Sequence, residues 1–280
     1  MSSRKGRAET ARETVSILRQ GYYVNLSQRK VSVADELQFA VANTLHYRPE
    51  DFASVRDEAR KILEERAPYE TQFQVVNSTT LASIRKHLED NTGEDVVCLN
   101  FASAKNPGGG FLNGSQAQEE SLARATGMYS CIAPKQSMYN HNRQCGTCLY
   151  THHALYSPKV PVLRNDEDEL LEEPYLTSII TSPAVNAGAV RRRERPLIEP
   201  TMRERIENVL ALAVAHHHQT VVLGAWGCGV FKNDPTNVAQ WLHDALQSER
   251  FQGAFRKVIF AVLDRSREER FIGPFLKMFD

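Results

Sequence analysis

Along the chain the spacing of apolar and polar positions changes character near residue 70. Before it, RAETARETVSILR (7–19) repeats at helical spacing, and GYYVNLSQRKVSV alternates as an irregular hairpin. Helices are expected around 34–44 and 52–66, interrupted near Pro49 and Pro68. After it the texture is regular. QFQVVN (72–77) is strand-like, and Ser78, Thr79 or Thr80 can cap the helix containing LASIRKHLED. VVCLNFAS (96–103) reads as a buried strand. Ser115 and Gln118 have the spacing of a capping box and predict a helix over 116–132, with Leu122, Ala125 and Tyr129 on one face. PYLTSIITSPAV, TVVLGAW and KVIFAVLD follow as strands. TMRERIENVLALAVAHH, PTNVAQWLHDALQSE and SREERFIGPFLKMF follow as helices.

Strands that alternate with helices at these lengths build a largely parallel sheet covered on both faces. The expected architecture is therefore an α/β fold, a three-layer α/β/α sandwich over residues 71–280. Residues 1–70 form a helical N-terminal extension packed on it. A chain of 280 residues with 41% hydrophobic positions can bury such a core.

Charge narrows the functional classes. Lys+Arg and Asp+Glu balance at 34 each, so no general nucleic-acid or membrane-surface binding is expected. No apolar run has the length of a membrane span, and the first twenty residues are polar. Five cysteines, an odd number, suit reduced thiols. These features predict an intracellular, soluble protein, cytoplasmic or, in a eukaryote, nuclear.

Two strands run directly into glycines, NPGGG (106–110) after VVCLNFAS and GAWGCG (224–229) after TVVL. In open α/β sheets ligands bind beyond the carboxyl ends of strands, and glycines there bring backbone N–H groups close to a guest. Such amides hold phosphate without net positive charge, so a diphosphate is the expected guest. Neither GxxxxGK[ST] nor a dinucleotide GxGxxG fingerprint is present. Each loop could also be a tight strand-to-helix turn.

Glu119 and Glu120 fall in the first turn of the helix after NPGGG. Acids there complement the helix dipole, and this alone could explain them. Their nearness to the glycine loop suggests more. Adjacent helical residues diverge by about 100°, so the pair is expected to do two jobs rather than face each other across one bond. One carboxylate would fix a sugar and the other transfer a proton. A proton donor at a helix N-terminus must be kept neutral by burial or by neighbouring negative charge, against the dipole.

GGG, seven residues, then QEE resembles the poly(ADP-ribose) glycohydrolases. NFASAKNPGGGFLNGSQAQEESLARATGMY, EEPYLTSIITSPAVNAG and VLGAWGCGVFKNDP are similar to the microbial-type branch, over roughly residues 70 to 280. The resemblance implies a macrodomain-like fold that binds ADP-ribose and cleaves ribose–ribose O-glycosidic bonds of poly(ADP-ribose), with no cofactor and no metal. It implies Glu120 as catalytic acid and Glu119 as a holder of ribose hydroxyls. Gly108, Gly109 and Gly110 would shape the catalytic loop, with Asn106 and Gln118 helping to position the sugar. Gly227, Cys228, Gly229 and Val230 would line the diphosphate loop, and Phe231 would pack on the nucleoside or proximal ribose. Poly(ADP-ribose) or an ADP-ribosylated protein is the implied partner and ADP-ribose the product ligand. A non-catalytic ADP-ribose-binding macrodomain, or a hydrolase of single ADP-ribose adducts, would share the glycine loops.

Other motifs stand outside that scheme. His141, Cys145, Cys148 and His152 have spacings compatible with tetrahedral zinc, or belong to a connecting loop with free thiols. His216, His217 and His218 close a helix whose C-terminal end suits imidazolium. Cys228 has no histidine near it in sequence to activate it and is expected to be a small loop residue. RRRERP (191–196) is a basic cluster that could attract a polyanionic polymer.

Overall fold

A computed structural model describes residues 3–280. Helix α1 (Arg4–Gln20) leads to a ribbon of β1 (Tyr22–Val24) and β2 (Lys30–Ser32). Next come α2 (Ala34–Ala42), β3 (Leu45–Tyr47), α3 (Phe52–Glu64), β4 (Gln72–Val76), α4 (Thr80–Asp90) and β5 (Val96–Phe101). The middle of the chain holds α5 (Gln118–Ala125), α6 (Met128–Ile132), α7 (Gln136–Gln144), β6 (Ala154–Arg164) and β7 (Leu170–Ser182). Helix α8 (Ile198–Ala215), β8 (Thr220–Leu223), α9 (Pro235–Leu246), β9 (Lys257–Ala261) and α10 (Gly273–Phe279) complete it.

The main sheet has seven strands in the order β3-β6-β7-β5-β8-β9-β4. From β7 to β4 all neighbours are parallel; β6 and β3 are added antiparallel at one edge. Alternate residues of each strand enter opposite cores, as the two-residue side-chain period requires. Val97, Leu99, Val221, Leu223, Val258 and Phe260 meet the α3, α8, α9 and α10 layer. Val96, Cys98, Val222 and Ile259 meet α4, α5, α6 and α7 on the other face. The expected three-layer α/β/α sandwich is the observed one. The first seventy residues supply the edge strand β3 to this sheet, and α3 packs along α8.

Three local expectations change. Strand β6 is not visible in the sequence, because Pro158 and Pro161 argue against a strand. Pro158 sits where the β6–β7 register shifts between Ser157 and Val160, so its missing N–H interrupts no regular pairing. The helix expected over 116–132 is two helices. Thr126 between them is extended (φ −135°, ψ 171°) and bridges to Val162. The capping box does not form: Ala117 is the N-cap of α5, with no side-chain cap, and the Gln118 side chain reaches back to β5 instead. The last helix is shorter than expected. Asp264 accepts the N–H groups of Ser266, Phe271 and Ile272, which folds the preceding segment into a turn. Thr79 does cap α4, accepting from the Ala82 N–H at 3.1 Å.

Candidate active site

The carboxyl ends of β7, β5 and β8 lie side by side, and β5 and β8 continue into loops that carry expected site residues. After β5 the chain curls through Asn106 and the three glycines before entering α5. The Gly109 N–H donates to the Asn106 carbonyl at 3.0 Å, with Gly109 at φ +59°. This curl presses the loop onto the start of α5. A Cβ on Gly109 would lie 2.3 Å from Glu120 Oε1 and 3.2 Å from Glu119 Oε2. Only glycine lets the backbone come so close to two carboxylates. The 100° divergence does not keep the two glutamates apart: both side chains close on the same residue.

Their environments nevertheless differ. Glu119 is buried, 3% exposed. Its Oε2 accepts the Ser103 N–H at 2.7 Å and its Oε1 the Asn100 amide at 3.2 Å. Burial pushes its carboxyl up to about 8; the N–H donors of Ser103, Asn100 and Gly108 oppose this, and the charge of Glu120 adds to it. Glu119 is thus an acid that keeps its proton at neutral pH. Asn100 Oδ1 is buried without a hydrogen-bond partner. Rotating that amide by half a turn would offer the orphan oxygen to a protonated Glu119, and such amide orientations are set by the network around them. Glu120 is half-buried and accepts the Gly110 N–H at 3.0 Å.

Gln118 ties this corner together. Its Oε1 accepts the Phe101 N–H at 2.8 Å, and its Nε2 donates to the Leu99 carbonyl at 2.8 Å and to Thr80 Oγ1 at 3.1 Å. The end of β5, the start of α4 and the start of α5 therefore share one amide. Asn106 is exposed at the rim, its N–H donating to Ser103 Oγ at 3.3 Å. From the far side, α1 buttresses the loop: Arg4 and Arg7 donate to the carbonyls of Asn113 and Gly114 at 3.1 and 3.0 Å.

The second glycine loop follows β8. Gly227 has φ +74°, and a Cβ there would meet Ala184 and Asn233 at 2.5 Å. Asn233 is buried and donates to the carbonyls of Val185 and Gly227. The loops after β7 and β8 are thereby joined, and the Gly188 N–H adds a bond to the Phe231 carbonyl at 3.0 Å. Gly229 faces open space and Val230 is 75% exposed, so this side of the loop is free to meet a ligand. The Phe231 ring lies 5.9 Å from that of Tyr150. Cys228 is buried, and burial pushes its thiol up to about 12, which makes it a packing residue and no nucleophile. Arg205, fully buried, donates to the carbonyls of Pro183 and Leu149 and fixes the start of the β7 loop from beneath.

The histidine and cysteine motifs stay outside this geometry. His141 Nδ1 meets the Ser137 carbonyl, Cys145 Sγ donates to the Asn142 and Thr147 carbonyls, and His152 faces Glu204. Among the described residues no three His, Cys, Asp or Glu converge to hold a metal ion. The imidazolium expectation fails for His216 and His218. Desolvation lowers both, His216 to about 4, and each is bonded to a tyrosine hydroxyl, Tyr47 and Tyr156 respectively. Sequence reasoning missed Asn100, Ser103 and Tyr139. Asn100 had a signal, being the polar interruption of an apolar strand. Tyr139, whose phenol is raised by burial and further by nearby Glu119, had none.

Comparison with known proteins places these features in context. The model of the microbial-type PARG catalytic domain matches residues 11–165. A poly(ADP-ribose) glycohydrolase from Thermomonospora curvata, solved with the inhibitor ADP-HPD, is 41% identical; the alignment covers 98% of this chain and 99% of that one, with a TM-score of 0.90. The enzyme from Deinococcus radiodurans in complex with ADP-ribose is 42% identical over 87% of this chain and 97% of that one, with a TM-score of 0.81. No curated protein sequence matches. Among the described residues no helix is long and apolar enough to cross a membrane.

Proposed function

The chain belongs to the microbial-type poly(ADP-ribose) glycohydrolases, macrodomain-like glycosidases, and from that premise we propose that Glu120 is its general acid and base. The observation that carries this assignment is the seating of the Glu120 carboxylate against Gly109 and the Gly110 N–H, half-exposed at the carboxyl end of β5.

The reaction cleaves the bond between an anomeric ribose carbon and the ribose oxygen of the next unit. Glu120 gives its proton to that oxygen as the bond breaks. The resulting oxocarbenium-like ribose is stabilised by the adjacent diphosphate. Water then adds to the anomeric carbon and returns a proton to Glu120, so the enzyme ends as it began. Glu119, buried behind it, is held in place by the Ser103 N–H and the Asn100 amide. Each Glu119 oxygen retains a lone pair for a ribose hydroxyl.

Asn106, Gly108 and Gly110 border the distal ribose, and Gln118 positions α5 beneath it. Gly227, Cys228, Gly229 and Val230 form the diphosphate loop, through backbone groups alone, which is how a chain of zero net charge can hold an anion. Phe231 packs on the proximal ribose or nucleoside. The substrate is poly(ADP-ribose), free or protein-attached, and the product is ADP-ribose. Residues 1–70 serve as an extension whose first helix supports the catalytic loop.

The test is release of ADP-ribose from purified polymer by wild type and Glu120→Gln. The variant keeps size and hydrogen bonding and removes the proton donor. Turnover is expected to fall by roughly 10²–10⁴-fold, with ADP-ribose binding by calorimetry unchanged. A variant that retains wild-type turnover would remove Glu120 from the chemistry.

A further inference from the structure

Beside the catalytic loop, on the side facing β7, lies a cavity of about 230 Å³ lined by Lys105, Asn142, Arg143, Thr147, Cys148 and Arg191. Its three cations come from separate segments: the start of the loop after β5, the last turn of α7 and the start of the basic stretch after β7. None of the three has a carboxylate partner among the described residues. Arg143 donates to Asn140 Oδ1 and Arg191 to the Gly146 carbonyl. In a chain with equal numbers of acids and bases, three unpaired cations around one cavity are a local excess built by the fold. Asn142 is 1% exposed, and its Oδ1 accepts both the N–H and the hydroxyl of Thr151. That fixes the amide, yet its Nδ2 has no acceptor. A buried donor without a partner, in a cavity ringed by cations, points to an anionic ligand. The volume lies below the roughly 300–1,000 Å³ of pockets that enclose a whole drug-sized molecule and suits a diphosphate.

The order of the loops says which diphosphate. Strand β5 lies between β8 and β7. A terminal ADP-ribose unit runs from the glycine loop after β8 to Glu120 after β5. Lys105 directly precedes Asn106, which borders the distal ribose, so the cavity adjoins the end of the unit at which the polymer continues past the bond to be cut. We propose that Lys105, Arg143, Arg191 and Asn142 form a leaving-side subsite that binds the diphosphate of the next ADP-ribose unit. Beyond it the exposed Arg192, Arg193 and Arg195 extend the same positive surface. The subsite rests on the polymer-cleaving function given above, and it adds the part of the substrate that function leaves unplaced.

The test compares two substrates: purified polymer, and an aryl glycoside of ADP-ribose, whose leaving group carries no diphosphate. In Arg143→Gln/Arg191→Gln, kcat/KM on polymer is expected to fall roughly tenfold or more, with a shallower dependence on salt, as each lost cation–phosphate contact releases fewer counterions. The aryl glycoside should be cleaved at the wild-type rate. Equal rates on polymer for variant and wild type would overturn the subsite, as would a parallel loss on both substrates, which would place the arginines in the fold or in the first unit's pocket. Should the double variant fail to fold, Arg143→Gln alone, an exposed side chain whose removal breaks one surface bond, decides by the same comparison. A wild type inactive on both substrates would instead refute the assigned reaction, so the two failures are distinct.

Discussion

Substituting Gly109 by alanine perturbs Glu120, the proposed general acid, without touching it chemically. The added methyl would sit 2.3 Å from Glu120 Oε1, where ordinary contact begins at 3.4 Å, so the oxygen must retreat by about 1 Å. Glu119 Oε2, 3.2 Å away on the other side, is buried and pinned by the Ser103 N–H, so the methyl has no easier escape in that direction. Positive φ by itself costs about 1–2 kcal/mol for a non-glycine residue. Seven non-glycine residues of the described chain already carry positive φ, so strain alone is survivable here. The expected result is a folded protein whose thermal midpoint is lower by roughly 2–6 °C, but whose turnover falls about 100-fold, the effect of misplacing a reacting group by 1 Å. The assay is steady-state release of ADP-ribose from polymer, with Gly273→Ala as control, since a Cβ there meets nothing closer than 3.6 Å. Combining Gly109→Ala with Glu120→Gln should add nothing further to the loss. Turnover within threefold of wild type, or a double variant well below Glu120→Gln, would show that the glycine does not act through this carboxylate.

Glu119 makes stability depend on pH in a defined direction. A carboxyl raised from 4.5 to about 8 binds its proton more tightly when folded, so its contribution fades as pH rises through that window. Glu119→Gln should therefore flatten the loss of stability between about pH 4.5 and 8 in denaturant titrations, and an unchanged slope would refute the shift. Gln118→Ala leaves the Phe101 N–H and Leu99 carbonyl without their partner, and should lower stability by about 2–3 kcal/mol; an unaltered urea midpoint would count against the bridging role. Cys98, Cys131 and Cys228 are buried with thiols pushed up to about 12, 11 and 12, whereas Cys145 and Cys148 are partly exposed. Iodoacetamide should label the latter two in the native protein and all five after denaturation, as mass spectrometry would reveal; native labelling of Cys228 would place that loop in solvent.

The parallel half of the sheet was legible because its strands are rich in apolar and β-branched residues and alternate with helical stretches. Strand β6 was hidden by Pro158 and Pro161, and Pro158 is tolerated at a register shift that only the partner strand makes visible. The division between α5 and α6 depends on Thr126 pairing with Val162, a contact with a residue 36 positions away that no local pattern encodes. At the site, the glycines and glutamates were recognisable by type and spacing. Their convergence on Gly109 was not, because it depends on the curl of the loop. Gln118 shows the same limit: its spacing to Ser115 fits a local cap, and tertiary partners on β5 and α4 took the amide instead.

The anchoring of α1 on the catalytic loop has a consequence for synthesis on the ribosome. Arg7 is separated from its partner Gly114 by 107 residues. At roughly 5–20 residues per second the helix emerges some 5–20 s before the loop that will receive it. Through that interval Ile17 and Leu18 can pack on Tyr23, Val33 and Leu37, which follow at once, but Ala11 and Thr14 lack the loop and α5 surface they meet in the finished protein. The nascent enzyme thus carries a helix docked on one side only until the glycine loop has been translated, an interval in which chaperone capture competes with completion of the docking.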